Sequence, residues 1–228
     1  MKRYKFLLFD VDDTLLDFQK GADYALTKVL LQNGLREKEI SEAKRLFEVI
    51  SAPLWEKAEK GVLTVQDVAY LRFDQLFAHY DIDVDGKKVD QQFRDALADD
   101  DFSIDGAKEV LAQLSKEYPL YVVSNGMYET QEKRLKASQL YDYFDARFTS
   151  SEIGVSKPAR AFFDHVATHI PSFDPSQALV IGDSLTSDMT GGIQYGIDTC
   201  WFNPDEQTTD LPVTYTIQRL EELYSIVK

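Results

Sequence analysis

The feature that most restricts the fold is an alternation that begins after Asp105-Gly106. Short apolar runs there take turns with stretches of helical spacing. A helix over 107–116 leads to the run Leu120-Tyr121-Val122-Val123, and a second helical stretch leads to Arg147-Phe148-Thr149. A helix over 160–169 leads to Leu179-Val180-Ile181, and one over 185–195 leads to a strand over 199–202. A last strand over 213–216 and a last helix over 218–227 follow. The periodicity is that of repeated strand–helix units, which require a parallel sheet covered on both faces. One more apolar run, Phe6-Leu7-Leu8-Phe9, stands far upstream. Between the two regions every signal is helical. Ala22, Ala25, Leu26, Val29 and Leu30 recur at helical spacing up to a left-handed stop at Asn33-Gly34. Ile40, Ala43, Leu46, Phe47 and Ile50 repeat the pattern, which Pro53 is expected to interrupt, and Gly61 is expected to end the next short helix. Thr64 and Asp85 are positioned to cap two further helices. The expected architecture is α/β: a Rossmann-like parallel sheet core, residues 1–16 and 97–228, with helices on both faces and an inserted all-helical domain, residues 17–96.

Charge is distributed unevenly over these parts. The 228 residues carry a formal net charge of −14. Residues 18–95 hold 12 basic and 14 acidic side chains, which leaves 13 basic and 25 acidic for the rest. Such a surface repels nucleic-acid polymers, whose binding requires Lys and Arg to displace counterions. It repels small anions too, unless a cation sits at the site. The single cysteine, Cys200, rules out an internal disulfide; beside Trp201 and Phe202 it reads as an inert core thiol. Phe6–Phe9 is too short for a signal peptide or membrane span, so a cytoplasmic protein, monomeric or weakly dimeric, is expected.

In open parallel sheets, ligands bind beyond the carboxyl ends of the strands. Four polar clusters follow apolar runs here: Asp10-Val11-Asp12-Asp13-Thr14, Ser124-Asn125-Gly126, Ser156-Lys157-Pro158, and Gly182-Asp183 continuing to Asp188. Each alone is ordinary turn or cap chemistry. All four in this order, on one sheet edge, are much less easily explained as coincidence. His165 and His169 share a helical face, but no third zinc ligand is near them, and a solvated face is the simpler reading. Trp55, Tyr70 and Phe73 read as core of the insertion.

With these motifs the whole chain resembles the haloacid-dehalogenase-like hydrolases. The insertion resembles the cap of the small-cap subclass. The segments DVDDTLLDF and GDSLTSDMTGGIQYGIDTCWFN look most like the pyrimidine 5′-nucleotidase subgroup. Asp13 stands where many members have glycine, and that subgroup tolerates an acid or amide there. The resemblance implies a Mg²⁺-dependent phosphomonoester hydrolase acting on a small phosphorylated metabolite, most plausibly a nucleoside 5′-monophosphate. It implies that Asp10 is the nucleophile, forming an aspartyl-phosphate, and that Asp12 protonates the leaving oxygen and then activates water. Ser124, the backbone N–H of Asn125, and Lys157 would hold phosphoryl oxygens. Asp10, Asp183 and the Asp12 carbonyl would bind Mg²⁺, while Asp188 would hold Lys157 or a water of the metal. If Asp12 is protonated, Asp10, Asp183 and Asp188 carry three negative charges, which Lys157 and Mg²⁺ together cancel. Substrate selection would lie with the cap.

Other readings predict different behaviour. A dehalogenase of the family usually lacks an acid at the Asp12 position. A sugar-phosphate phosphatase or phosphomutase would share the core residues and differ in product. A phospho-receiver would carry its phosphorylated aspartate two strands later than Asp10, and an idle binding protein would tolerate loss of that carboxylate.

Overall fold

The four residues of β1 (Phe6–Phe9) are all buried, which fits a strand covered on both faces. The computed structural model describes residues 4–59 and 62–227; Gly61 lies outside the described residues. β1 is the centre of a six-stranded parallel sheet with β2 (Leu120–Ser124), β3 (Ala146–Thr149), β4 (Ala178–Gly182), β5 (Asp198–Phe202) and β6 (Tyr215–Ile217). The order is β3-β2-β1-β4-β5-β6. The chain progresses outward from β1 in both directions, so the topological switch falls between β1 and β4. Leu7, Phe9, Val122, Leu179 and Ile181 pack into one core cluster, and Phe6, Leu8, Val123, Ala178 and Val180 into the other. This is the expected α/β fold.

The chain divides into two compact units, residues 1–18 with 100–228, and residues 19–99. The first holds the sheet and its helices: α5 (Ala107–Leu114), α6 (Tyr128–Ala137), α7 (Ser150–Ile153), α8 (Arg160–His169), α9 (Thr190–Tyr195) and α10 (Leu223–Ile226). The second is helical: α1, which starts at the boundary (Phe18–Gln32), α2 (Ile40–Glu59), α3 (Val65–His79) and α4 (Gly86–Ala96). Its core contains Phe47, Phe73, Phe77 and Phe93. The Arg72 guanidinium lies 5.0–5.3 Å from the rings of Phe47, Phe73 and Phe93 and pairs with Asp90. Gly34 adopts the left-handed stop, and Thr64 and Asp85 cap α3 and α4 through the N–H groups of Asp67 and Lys87. Among the described residues no helix is long and apolar enough to cross a membrane.

Three local expectations change. Helix α2 runs through Pro53. Pro53 and Val49, whose carbonyl loses its partner, are both exposed, so the unpaired carbonyl lies on the solvent side of the helix rather than in the core. Strand β6 begins later than residue 213. Thr199 and Thr214 each accept the other's backbone N–H on a hydroxyl, at 3.1 and 3.2 Å, which holds that segment beside β5 without a main-chain ladder. The last helix shrinks to a 3₁₀ turn (Leu220–Glu222) and α10.

Gly191 and Gly192 let α9 sit hard against its neighbours. A β-carbon on Gly192 would lie 2.6 Å from Thr199 Cγ2 on β5, and one on Gly191 2.5 Å from Phe163 on α8. Thr199 is buried and β-branched, with little room to yield. Gly192→Ala is expected to destabilise the protein by about 1–3 kcal/mol through overpacking. A thermal unfolding scan checks this, at roughly 2–4 °C of Tm per kcal/mol for a chain of this size.

Candidate active site

The sheet register sets the site. Phe9 pairs with Val122 on one side and Ile181 on the other. Asp10, the next residue, keeps the pairing by donating its N–H to the Ile181 carbonyl at 2.9 Å. Its carboxylate therefore leaves the tip of the central strand between the ends of β2 and β4, beside the topological switch.

Lys157 occupies the middle of this edge. Its buried Nζ donates to Asp10 Oδ1, Asp188 Oδ1 and the Val123 carbonyl, each at 2.6 Å. Three donors meet three acceptors, so the ammonium is fully satisfied. Burial alone would push Lys157 down, but the Asp10 and Asp188 carboxylates outweigh it and hold the group charged. Asn125 aims this lysine. Its side chain accepts the Lys157 N–H at 2.8 Å and donates to the Lys157 carbonyl at 3.0 Å. Asp188 arrives on a wide π-type turn (Leu185–Met189) and fills the space above Gly182, where a β-carbon would lie 2.3 Å from Asp188 Oδ2.

Asp183 completes the acidic group. Oxygen atoms of Asp10, Asp183 and Asp188 lie within 4.8 Å of one another. The Thr14 hydroxyl stands between two of them, 3.5 Å from Asp10 Oδ2 and 3.3 Å from Asp183 Oδ1, and accepts the Asp183 N–H at 3.0 Å. One hydroxyl proton at these lengths compensates neither carboxylate well. Burial, then the charges of Asp188 and Asp13, push the Asp183 carboxyl up to about 6. Burial also pushes Asp10 up, against the pull of Lys157 and with Asp188 adding to the rise. Three carboxylates against one ammonium leave two negative charges, and the available donors are all oxygen. A hard divalent cation such as Mg²⁺ fits that set. The resemblance read from sequence assigns Asp10, Asp183 and the Asp12 carbonyl to the cation and Asp188 to Lys157 or a water of the metal; the carboxylates grouped here are those of Asp10, Asp183 and Asp188.

Asp12 points elsewhere. Its Oδ2 accepts from Gln131 Nε2 at 2.6 Å, and its Oδ1 is paired with Arg134 Nη1. Gln131 Nε2 also donates to Ser124 Oγ at 2.9 Å, and that oxygen accepts the Gly126 N–H at 3.0 Å. Neither Gln131 nor Arg134 is apparent from motif spacing. The available signal is the shared face of α6, where Gln131, Arg134 and Leu135 fall three and four residues apart and all are buried. Trp201, read from sequence as core, donates its indole N–H to the Asp183 carbonyl at 2.8 Å. Asp13 has φ 56°, the left-handed conformation that suits glycine and that aspartate tolerates. Its carboxylate accepts the Phe18 N–H at 2.9 Å at the start of α1.

His165 and His169 stack with ring centroids 4.0 Å apart, and the cluster of metal-ligating groups found among the described residues does not include them. Cys200 is buried, and burial pushes its thiol up. Phe73 is core, Tyr70 is half-buried, and Trp55 departs from the core reading, being exposed.

Residues 4–196 match the family of haloacid dehalogenase-like hydrolases. The chain is 41% identical to YfnB of Bacillus subtilis, named as a HAD-hydrolase, over 100% of this chain and 97% of that protein. It is 36% identical to the pyrimidine 5′-nucleotidase PynA of Streptococcus pneumoniae, over 96% and 93%. The crystal structure of YfnB bound to magnesium superposes with a TM-score of 0.87 at 39% identity, covering all of both chains. An L-2-haloacid dehalogenase of Xanthobacter autotrophicus shares the fold, with a TM-score of 0.74 at 17% identity over 98% of each chain.

A carboxyl whose folded pKa is raised stabilises the fold below its unfolded value and loses that contribution as pH rises through the folded value. For Asp183 the window runs from about pH 4 to just above 6. Metal-free protein is therefore expected to lose Tm across this window. Asp183→Asn is expected to flatten the loss and raise the metal-free Tm at pH 7 by several degrees, the half-buried position limiting the gain. Mg²⁺ is expected to raise the Tm of the wild type and not of the variant. Calorimetry with chelator and with Mg²⁺, from pH 4 to 8, checks all three.

Proposed function

The chain belongs to the haloacid dehalogenase-like hydrolases, and we propose that it is a Mg²⁺-dependent phosphomonoesterase working through an aspartyl-phosphate on Asp10. The observation that carries the reading is the grouping of Asp10, Lys157, Asp183 and Asp188 at one sheet edge, with a second acid, Asp12, two residues after the nucleophile. A phosphoryl group has oxygens to neutralise and a poor leaving group to protonate, and this set has groups suited to both.

Asp10 supplies the attacking carboxylate oxygen. As the Asp10 O–P bond forms, the bond from phosphorus to the leaving oxygen breaks, and the proton of Asp12 passes to that oxygen. Asp12 is then a carboxylate. It takes a proton from water as the water oxygen attacks the same phosphorus, the Asp10 O–P bond breaks, and phosphate leaves with both aspartates restored. Lys157 holds Asp10 in place and offers positive charge to the phosphoryl oxygens, with Ser124 and the Asn125 N–H as further donors. Asp10, Asp183 and the Asp12 carbonyl would hold Mg²⁺, whose chemistry is to neutralise phosphoryl and carboxylate charge together.

The finer reading is a 5′-nucleotidase on nucleoside monophosphates. It is supported by the motif likeness at both ends of the core and by the nucleotidase among the related proteins. Presence of Asp12, a group able to protonate an alkoxide, favours a phosphatase over a dehalogenase.

A panel of nucleoside 5′-monophosphates and sugar phosphates, assayed with Mg²⁺ for free phosphate, tests this. Phosphate release from nucleotides is expected, with Asp10→Asn inactive and Asp12→Asn reduced by about 10²–10⁴-fold, the usual contribution of general acid–base catalysis. Release from sugar phosphates alone rejects the nucleotidase reading. Formation of an isomer in place of phosphate rejects hydrolysis, and full activity of Asp10→Asn rejects the mechanism.

A further inference from the structure

Gln131 and Arg134 are both 3% exposed, which is unusual for long polar side chains on a short surface helix. Folding gains little from them. A desolvated guanidinium is costly to hold in a protein interior, and Arg134 Nη2 is buried with no hydrogen-bond partner among the described residues. An apolar residue of similar volume would fill the space without that penalty. The polar atoms that do find partners join one another, the Asp12 carboxylate and the Ser124 hydroxyl. Arg134 Nη1 reaches Asp12 Oδ1 and Gln131 Oε1, and Gln131 Nε2 reaches Asp12 Oδ2 and Ser124 Oγ. Both oxygens of Asp12 are thereby gripped, each by a different side chain. The ring of Phe18 lies 5.4 Å from the guanidinium carbon and covers it. Gly126 makes room for the grip, because a β-carbon there would lie 2.4 Å from Gln131 Nε2.

We infer that Gln131 and Arg134 are positioning residues, which fix the Asp12 carboxylate in direction and tie it mechanically to Ser124. The inference rests on the phosphatase reading above. Asp12 is half-exposed and on its own would sample several rotamers. A proton donor must lie within hydrogen-bond reach of the leaving oxygen, so its direction matters as much as its presence. Linking it to Ser124 sets that direction relative to the phosphoryl group.

The test separates leaving groups. p-Nitrophenolate departs without a proton, whereas the alkoxide of a nucleoside 5′-monophosphate requires one. Wild type, Arg134→Met and Gln131→Leu are compared on p-nitrophenyl phosphate and on a nucleoside 5′-monophosphate, by rapid-mixing and steady-state assays, together with Tm. In the variants, steady-state turnover of the nucleotide is expected to fall by at least about tenfold, toward the 10²–10⁴-fold range of general acid–base catalysis. The aryl ester is expected to keep its stoichiometric burst of p-nitrophenolate, because phosphorylation of Asp10 proceeds while the second step lacks an aimed base. Tm is expected to hold or rise. Equal losses in the burst and in nucleotide turnover, unchanged rates, or a Tm that falls in step with activity would each overturn the positioning role while leaving the phosphatase reading intact. A wild type that releases phosphate from neither ester overturns both.

Discussion

The Lys157 ammonium is the contact on which the arrangement of the site depends. A buried cation persists only when its protons are matched by acceptors and its charge by nearby carboxylates. Here each of its partners comes from a different part of the chain: the tip of β1, the last carbonyls of β2, and the turn after β4. The reverse dependence is equally strict. Asp10 and Asp188 are both buried, and without the ammonium between them they would face each other across a dry strand edge. Like charges about 4 Å apart at an effective dielectric near 20 repel by roughly 4 kcal/mol. The lysine therefore makes the aspartates tolerable, and they make the lysine tolerable.

That exchange works only where the backbone brings three segments to one level, and the sheet does so by register. Asp10 and Asp183 each follow directly on strands paired residue for residue, so neither needs a long or flexible side chain to reach the other. Lys157 does need length, coming from the loop before α8, and it is the one whose main chain is clamped on both sides by an asparagine amide. Small residues matter for the same reason. Gly182 cedes the volume that the Asp188 carboxylate occupies, and Trp201 pins the Asp183 carbonyl from the next strand.

These placements explain what the amino-acid sequence discloses and what it conceals. Strand tips are marked locally, because an apolar run ends abruptly in a polar residue and the sheet edge collects whatever follows. Asp10, Ser124 and Asp183 are legible on that ground, and the helix caps at Thr64 and Asp85 by their residue type, whereas Lys157 lies past α7 in the loop before α8. Gln131 and Arg134 carry no such mark. They look like the solvated side of a helix, and their partner Asp12 lies 119 and 122 positions away. Only burial distinguishes them, and burial is a tertiary property. Pro53 is hidden in a similar way, since α2 continues past it on an exposed face, which the local residues do not disclose.

The pairing of Asp12 with Arg134 also alters the electrostatics inferred from composition. Counting charges from sequence required Asp12 to be protonated for the site to balance with one lysine and one divalent cation. The structure places the Asp12 side chain outside the acidic cluster, against Gln131 and Arg134. Asp10, Asp183 and Asp188 with Lys157 retain two negative charges, the number that one divalent cation neutralises. The uncompensated charge thus lies on the carboxylates grouped around Lys157, while Asp12 is held by side chains that do not belong to the acidic cluster. Neither Gln131 nor Arg134 is a member of that cluster, so the side chains that hold the Asp12 carboxylate come from α6 and not from the acidic group.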